Sequence, residues 1–389
     1  MKRLGNIWPA VISAENGVQA VIDGTRFKRG QKEVRPLFYS REAVEADKTL
    51  WHRVDPGKAR AYAERLCREL ANGTWQHQPP RHRRQFCRNR ASSGGKWRDL
   101  YIPSLDDHIV AHMVMQASQR AFTRGMHPHC CGSVPGRGIR HVNRYVQKWL
   151  RHDKSCRYFV KLDIRRFFDS VDADRLKAIL AAKIKDPNVL RTFGQIIDSA
   201  PVPCPVGYYT SPWLANLYLE ELDWYIEQQL FKRRRGKRIK LVRHALRYVD
   251  DIFLAGASKS DLKKAVRAIA TWLRDYRGLE LKPSWEIKAV GRHELVDGAW
   301  KLKPGTYWCD IGGYRFCRDA TTLRPGIFLA LRRLARKMNR LRRWTRRQCA
   351  SLNSRLGWAS HCDSRRLIET QIIPFVDISK TRRLIANVG

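Results

Sequence analysis

Apolar and polar positions follow two different periods along the chain, which predicts a mixture of helices and strands. Ala59–Leu70 and Asp106–Gln119 carry apolar residues every three or four positions, the spacing of a helix with one buried face. Tyr158–Ile164 is instead rich in aromatic and β-branched residues, as in a buried strand. Ala245–Ala255 contains two short apolar runs that meet at a pair of aspartates, and this pattern predicts a β-hairpin.

Residues that commonly begin helices mark further elements. Asp172 is placed to cap a helix that extends through Ile184. Ser211 followed by Pro212 is typical of a cap with proline at the first helical position, which predicts a helix through about Gln229. The middle of the chain is therefore predicted to be α+β, with mainly helical regions on either side. The other predicted elements are a strand over 100–102, a helix over 261–276, strands around 308–316 and a helix beginning at Pro325.

The charge of the chain restricts its class of partner. The sequence has 76 Lys and Arg against 36 Asp and Glu, a formal net charge of +40, and such self-repulsion destabilises a compact fold unless a polyanion is nearby. Nucleic acid is the favoured polyanion, and an anionic membrane surface is the alternative. No apolar stretch is long enough to span a bilayer, and the first residues are too polar for a signal peptide. We therefore expect a cytoplasmic protein that does not associate with membranes.

The ten cysteines do not have the spacing of a metal or disulfide framework. No C-x-x-C pair occurs, which argues against a zinc ribbon. His127, His129, Cys130 and Cys131 are close in sequence, but adjacent ligands fit a tetrahedral ion poorly. Reduced thiols in a cytoplasmic protein are the default expectation.

Three aspartates are candidates for metal-dependent phosphoryl transfer. This reaction uses two divalent cations about 3.5–4 Å apart, and Mg²⁺ prefers hard oxygen ligands such as carboxylates. Asp163 ends a predicted strand, and Asp250 and Asp251 lie at the predicted hairpin tip, so one sheet could bring the three together. Either feature alone is weak, because aspartates at turns and strand ends are more often solvated or cap a helix.

In combination, three segments resemble the palm motifs of reverse transcriptases, in the order of that family. They are Val160–Val171 with Asp163, Gly207–Asn216 with Ser211-Pro212, and the Tyr-Val-Asp-Asp box that begins at Tyr248. The resemblance covers roughly 98–361. It implies an α+β right-hand polymerase fold, in which the palm has an antiparallel sheet plus helices and the thumb is helical. The implied domains are an N-terminal helical region (1–85), fingers (86–156), palm (157–320, with part of the fingers), thumb (321–362) and a C-terminal tail (363–389).

The resemblance also implies roles for individual residues. Asp163, Asp250 and Asp251 would hold two Mg²⁺ ions, for which Mn²⁺ could substitute, together with the backbone of Ile164. Phe168 matches the aromatic gate that excludes a ribose 2′-hydroxyl. The implied nucleotide contacts are Lys96, Arg98, Phe168, Val206, Gly207, Ser211 and Lys282, with Lys288 as a competitor for the role of Lys282. The implied nucleic-acid contacts are Tyr248, Gly313 and Tyr314 near the primer, and Arg336, Arg340 and Arg343 on the thumb.

The subgroup and the biological role stay open at this level. Val206 replaces a common glutamine, as in diversity-generating and defence-associated bacterial enzymes, yet Ser211-Pro212 differs from the Ser-Gln usual in the diversity-generating group. We expect an enzyme that copies a dedicated structured RNA with dNTPs, forms an RNA/DNA duplex, and serves anti-phage defence or a retroelement. An accessory protein or homo-oligomer is left open. The rivals are an RNA-dependent RNA polymerase, against which Phe168 argues, a non-catalytic RNA-binding protein, and a maturase.

Overall fold

The protein is described by a computed structural model at residues 3–28, 31–38, 54–88, 95–297 and 299–386. Its helices are α1 Trp8–Val11, α2 Ala14–Thr25, α3 Arg35–Phe38, α4 Pro56–Ala71, α5 Leu105–Thr123, α6 Ile139–His152, α7 Ala173–Lys183, α8 Pro187–Asp198, α9 Ser211–Tyr218, α10 Glu220–Gln228, α11 Lys259–Trp272, α12 Pro325–Asn339, α13 Arg346–Ala359, α14 Arg365–Gln371 and α15 Ile378–Ala386. Its strands are β1 Arg81–Arg88, β2 Gly95–Ile102, β3 Tyr158–Asp163, β4 Phe231–Arg234, β5 Lys237–Lys240, β6 His244–Tyr248, β7 Asp251–Gly256, β8 Lys288–Ala289, β9 His293–Val296, β10 Ala299–Leu302, β11 Cys309–Ile311, β12 Tyr314–Phe316 and β13 Thr321–Leu323.

The palm is built on a four-stranded antiparallel sheet in the order β6-β7-β3-β8. β3 pairs with β7 along its whole length, from Tyr158 opposite Gly256 to Asp163 opposite Asp251. The sheet is central because β3 and β7 are largely buried, as their apolar composition predicts. The predicted strand and hairpin are thereby confirmed.

Helix starts follow the local sequence signals. The Asp172 side chain accepts a hydrogen bond of 2.7 Å from the Arg175 N–H, so the predicted cap of α7 is confirmed. Ser104 caps α5 by accepting from the Asp107 N–H. Both signals lie within a few residues of the group they satisfy, and this is why sequence alone could identify them.

The prediction of one helix from Ser211 through Gln229 is wrong. The chain leaves helical geometry at Leu219, so that α9 and α10 are separate helices. The Tyr218 carbonyl accepts a 2.6 Å hydrogen bond from Nε of the buried Arg277, which comes from a distant segment. The cap of α9 is Thr210, and Ser211 is the first helical residue.

The helices near the C-terminus share one hydrophobic core, which continues past residue 362. α12 carries the expected apolar stripe, with Leu331 and Met338 fully buried. The segment after residue 362, expected to be a short tail, forms α14 and α15, and its Ile372 and Val376 enter the same core as α12 and α13. These residues therefore pack with α12 and α13, and the boundary between thumb and tail stays a prediction.

The other structural units surround this frame. β1 and β2 form a long antiparallel hairpin in the fingers, and α5 packs against α2 in the main core. A three-stranded sheet, β11-β12-β13, lies between palm and thumb. Within the described ranges, no helix has the length and apolar composition needed to cross a membrane.

Candidate active site

The three predicted catalytic aspartates meet at one end of the palm sheet. Asp163 is the last residue of β3 and pairs directly with Asp251, the first residue of β7. Tyr248 pairs with Asp251, so Val249 and Asp250 form the two-residue turn of a hairpin. Directly paired residues of antiparallel strands have Cα atoms about 4.5–5.5 Å apart. The fold thus gathers these carboxylates from segments almost 90 residues apart.

The charge at this edge is concentrated and only partly compensated. Burial is the main cause that raises the pKa of Asp250, and the negative charges of Asp251 and Asp163 raise it further. Burial also raises the pKa of Asp251, while Lys161 acts in the opposite direction. Nζ of Lys282 lies 2.6 Å from Oδ2 of Asp163. Such clustering of acids is costly without a cation, and it is typical of a functional site.

The donors present fit a divalent cation that prefers oxygen. Oδ1 of Asp163 is buried and has no hydrogen-bond partner among the described residues. Ile164 and Leu281 form an isolated antiparallel β-bridge. The backbone hydrogen bonds of this bridge are made by the residues on either side of the pair, and in one of them the Lys282 N–H donates to the Asp163 carbonyl. The Ile164 carbonyl therefore lies outside this pairing. Carboxylate and carbonyl oxygens match Mg²⁺ or Mn²⁺ better than softer metals.

A buried arginine supports the hairpin that carries two of the aspartates. This hairpin consists of β6, the turn Val249-Asp250 and β7, and is here called the acidic hairpin. Arg247 is 1% exposed, and its guanidinium donates to both carboxylate oxygens of Asp223, at 2.8 and 2.7 Å. It also donates to Asn216 Oδ1 and to the Val249 carbonyl, both at 3.0 Å. Bidentate geometry of this kind gives orientation as well as energy.

A tight approach completes the support of the acidic hairpin. Val249 has a φ of +58°, which is unusual for a β-branched residue. A Cβ at Gly132 would lie 2.5 Å from Cγ2 of Val249, so this position requires glycine. Asn216 Nδ2 donates to the Gly132 carbonyl, which links this loop to the Arg247 network.

Sequence reasoning missed Arg247, Asp223 and Asn216. The sequence did contain a signal for Arg247, because this charged residue lies at a buried position of β6 next to apolar residues. A charged residue at such a position is rarely buried unless it is paired. The partner, however, lies 24 residues away on α10 and could not be identified from local spacing.

The second motif connects fingers and palm. Gly207 has a φ of +121°, and a Cβ there would lie 2.3 Å from the Tyr101 carbonyl of β2. The Tyr101 N–H donates to the Val206 carbonyl at 2.9 Å. Ser211 is 2% exposed, and its hydroxyl donates to the Pro205 carbonyl at 2.7 Å. The hydroxyl is therefore used inside the palm, and a contact of Ser211 with an incoming nucleotide stays a prediction.

The remaining predicted nucleotide contacts lie in different settings. Phe167 is buried, and its ring centroid is 5.4 Å from that of the partly exposed Phe168, which packs against the main core. The role of Phe168 as a gate stays a prediction. Lys96 and Arg98 are exposed and share one face of β2. The segment 89–94, which belongs to the same basic loop, lies outside the described residues.

The two competing lysines are now separated. Lys282 contacts Asp163, whereas Lys288 pairs with Phe159, four residues earlier on β3, and its Nζ lies 3.1 Å from Glu286. Only Lys282 of this pair is therefore at the acidic edge. Its role toward pyrophosphate stays a prediction.

The predicted primer-grip hairpin supports the thumb. Gly312 and Gly313 both have positive φ, and a Cβ at Gly313 would lie 2.2 Å from Cζ3 of Trp358 on α13. Tyr314 is 2% exposed, and its hydroxyl donates to the Trp358 carbonyl at 3.0 Å. Tyr314 therefore packs between palm and thumb, and its predicted contact with the primer stays a prediction. Tyr248 is partly buried at the acidic hairpin.

Charged groups of the thumb and the His/Cys segment have contrasting environments. The predicted nucleic-acid contacts Arg336, Arg340 and Arg343 are all exposed.

Cys130 is instead buried, which raises its pKa to about 11, and its Sγ lies near Asn216 and Arg247. The thiol thus belongs to the support of the acidic hairpin.

Comparison with known proteins gives the same picture. The family model described as "Reverse transcriptase (RNA-dependent DNA polymerase)" matches residues 89–284, about half of the chain. The Escherichia coli retron Ec73 reverse transcriptase is 27% identical over 185 residues, 43% of this chain and 54% of that protein. The group II intron-encoded protein LtrA of Lactococcus lactis subsp. cremoris is 26% identical over 188 residues, 45% of this chain and 30% of that protein. An uncharacterised 91 kDa protein in the cob intron of Schizosaccharomyces pombe is 30% identical over 146 residues, 35% of this chain and 18% of that protein. The chain thus spans between about a fifth and about half of the length of these relatives.

Proposed function

The chain belongs to the reverse transcriptase family and has its right-hand polymerase fold, and on this premise we propose that it copies a structured RNA template into cDNA by two-metal nucleotidyl transfer. The observation that carries the proposal is the direct pairing of Asp163 with Asp251, beside Asp250 in the hairpin turn. A non-catalytic RNA-binding protein would have no need to gather three acids at one sheet edge at the cost of mutual repulsion.

The proposed reaction is attack of a primer 3′-hydroxyl oxygen on the α-phosphorus of a dNTP. The new P–O bond extends the primer and the hydroxyl proton is lost to solvent, while the bond from the α-phosphorus to the oxygen bridging to the β-phosphate breaks and pyrophosphate leaves with the electron pair. When bound, the two Mg²⁺ ions would supply charge stabilisation for both oxygens of the displacement. Asp163, Asp250, Asp251 and the Ile164 carbonyl would hold them. Catalysis of this kind depends mainly on positioning and electrostatics.

Other side chains have supporting roles in this proposal. Lys282, 2.6 Å from Asp163, supplies a positive charge at the acidic edge that can meet the departing pyrophosphate. Phe168 selects deoxynucleotides by excluding the 2′-hydroxyl. Lys96 and Arg98 bind the triphosphate from the fingers, and Val206 and Gly207 shape the nucleotide pocket through the approach of Tyr101.

The biological setting is part of the same proposal. We infer that a dedicated structured non-coding RNA serves as template, that Mg²⁺ is the metal, and that the protein works in the cytoplasm in anti-phage defence. The net charge of +40 supports a polyanionic partner. Retroelement propagation is the alternative role.

Primer extension on an RNA template by wild type and by the double variant Asp250→Asn, Asp251→Asn tests the function. We expect the variant to lose at least about 10³-fold in rate, since interactions that stabilise charge in the transition state are worth this much or more. Its affinity for RNA and its melting temperature should be retained. Equal product from both proteins would refute the proposal and favour a non-catalytic RNA-binding protein.

The choice of nucleotide separates the two kinds of polymerase. Wild type should incorporate dNTPs in preference to rNTPs, and Phe168→Ala should gain rNTP incorporation because the space for a 2′-hydroxyl opens. Preferred incorporation of rNTPs by wild type would instead identify an RNA-dependent RNA polymerase.

A further inference from the structure

A second hairpin of the palm is strongly basic and has no part in the proposed catalytic steps. β4, the turn Arg235-Gly236 and β5, here called the basic hairpin (231–240), lie between α10 and β6. From Lys232 to Lys240 the sequence has seven basic residues and no acidic one. All residues from Arg233 to Lys240 are exposed.

Two ion pairs fix the base of the basic hairpin to the palm helices. Nζ of Lys232 lies 2.6 Å from Oδ1 of Asp261 in the first turn of α11. Lys240, at the end of the opposite strand, pairs with Glu227 of α10. A two-stranded hairpin is marginally stable in isolation, so these contacts account for its fixed position.

The outer half of the basic hairpin has charge without compensation. Arg233, Arg234, Arg235 and Lys237 take part through their side chains in no hydrogen bond or ion pair with the described part of the chain. Strand pairing places Arg234 opposite Lys237 and Arg233 opposite Arg238. Like charges directly opposite each other destabilise a β-hairpin. A row of phosphates would remove this repulsion and release counterions.

The basic hairpin lies at the end of the sheet away from the acidic edge. β7 begins at Asp251 and ends at Gly256, and Asp261, which anchors the basic hairpin, follows that far end. The Arg243 N–H, just after the basic hairpin, donates to the Ala255 carbonyl at the same end. At about 3.4 Å per residue, the two ends of β7 are roughly 17 Å apart. Contact with the primer terminus therefore does not explain this charge.

We propose that the basic hairpin is a second RNA-binding site, which holds the phosphate backbone of a folded RNA outside the polymerase cleft. The proposal rests on the proposed function, because the RNA template is the polyanion that this function requires. Arginine binds phosphate bidentately, and phosphate contacts position a nucleic acid without reading its sequence. The exposed half offers no aromatic side chain for stacking on a base. Ile239 is its one sizeable exposed apolar residue, and this does not make the apolar face that a membrane surface would bury.

The test measures binding of the full chain to an RNA hairpin of about 16 base pairs, the length that a double-stranded RNA-binding domain spans. The triple variant Arg233→Gln, Arg234→Gln, Arg235→Gln should bind at least about tenfold more weakly near 0.1 M salt. The slope of log affinity against log salt should fall by about two to three. Replacement of the same arginines by lysine keeps the charges and should retain most of the affinity.

A charge-matched control uses exposed positions elsewhere. Lys58→Gln, Arg68→Gln and Arg191→Gln remove the same charge from α4 and α8, and this variant should bind the RNA hairpin nearly as wild type does. Primer extension on a short RNA template with a DNA primer should stay within about twofold for the Arg233–Arg235 variant.

Three outcomes would overturn the proposal, and a fourth separates it from the proposed function. Equal weakening by the control variant would reduce the effect to bulk charge. An equally large loss of primer extension on the short template would place the basic hairpin in the cleft. Unchanged RNA affinity with loss of binding to vesicles that contain phosphatidylserine would assign the surface to a membrane. If wild type extends no primer while the Arg233–Arg235 variant still loses RNA affinity, the proposed function fails and the second RNA site stands.

Discussion

Two consecutive hairpins of the palm use arginine in opposite ways. In the acidic hairpin, Arg247 is buried, and its guanidinium N–H groups donate to Asp223, Asn216 and the Val249 carbonyl. In the basic hairpin, Arg234 is exposed and faces a second cation, Lys237. The buried arginine orients the chain around it through its hydrogen bonds. The exposed arginine is repelled by the cation opposite it, and an anionic ligand can remove this repulsion. The environment, and not the residue type, separates positioning from binding.

The largest expected effect comes from removal of the buried cation. Arg247→Met leaves the Asp223 carboxylate buried without a partner, so we expect the free energy of unfolding to fall by about 3–5 kcal/mol. Urea denaturation measures this change. Primer extension should fall as well, since the Val249 carbonyl loses its donor.

The double variant Arg247→Met, Asp223→Leu is the control for this prediction. With both charges replaced by apolar groups, much of the stability should return, whereas primer extension should stay low because the turn is still unsupported. Full recovery of extension in the double variant would show that the network stabilises the palm without positioning the acidic hairpin.

A smaller effect should appear with pH at buried histidines. Burial lowers the pKa of His108 to about 3 and that of His112 to about 4, against about 6.5 in an unfolded chain. The unfolded state therefore binds more protons, and stability present above pH 6.5 is lost as the pH falls toward 4. The expected slope is about 1.4 kcal/mol per pH unit for each histidine.

The variant His112→Phe isolates one of these groups. The rings of His112 and Tyr209 stack with their centroids 3.7 Å apart. A phenylalanine ring at position 112 can keep this stacking but cannot be protonated. Urea unfolding between pH 4 and 7 should show a slope shallower by about one proton. A slope equal to that of wild type would mean that His112 is not kept neutral by the fold.

The smallest expected effect concerns the exposed arginines and has the opposite sign. Arg234→Glu places an acid opposite Lys237, so we expect the free protein to gain about 0.2–1 kcal/mol in stability while its RNA affinity falls. Combination with Lys237→Glu restores like charges and should cancel the gain. A loss of stability in Arg234→Glu would contradict the contrast between the two hairpins.

Much of the site could be predicted from short stretches of sequence. The order of the three motifs identified Asp163, Asp250 and Asp251, and the cap at Asp172 and the proline at 325 predicted helices that the structure contains. The break at Leu219 could not be predicted from local sequence, because the Arg277 side chain that donates to the Tyr218 carbonyl comes from a segment nearly 60 residues later. Likewise, nothing local indicated that Gly313 makes room for Trp358 of the thumb.

The sequence by itself determined which residue types are available for chemistry, and where β3, the acidic hairpin and the helix capped by Asp172 begin, since these depend on neighbours within a few positions. Only the tertiary structure decided that Asp163 pairs with Asp251, that Lys282 and not Lys288 reaches them, and that Arg247 is enclosed. These outcomes depend on strand register and on burial of groups distant in the chain. Both depend on packing of the whole core, so the pattern within one segment does not specify which distant group becomes its partner.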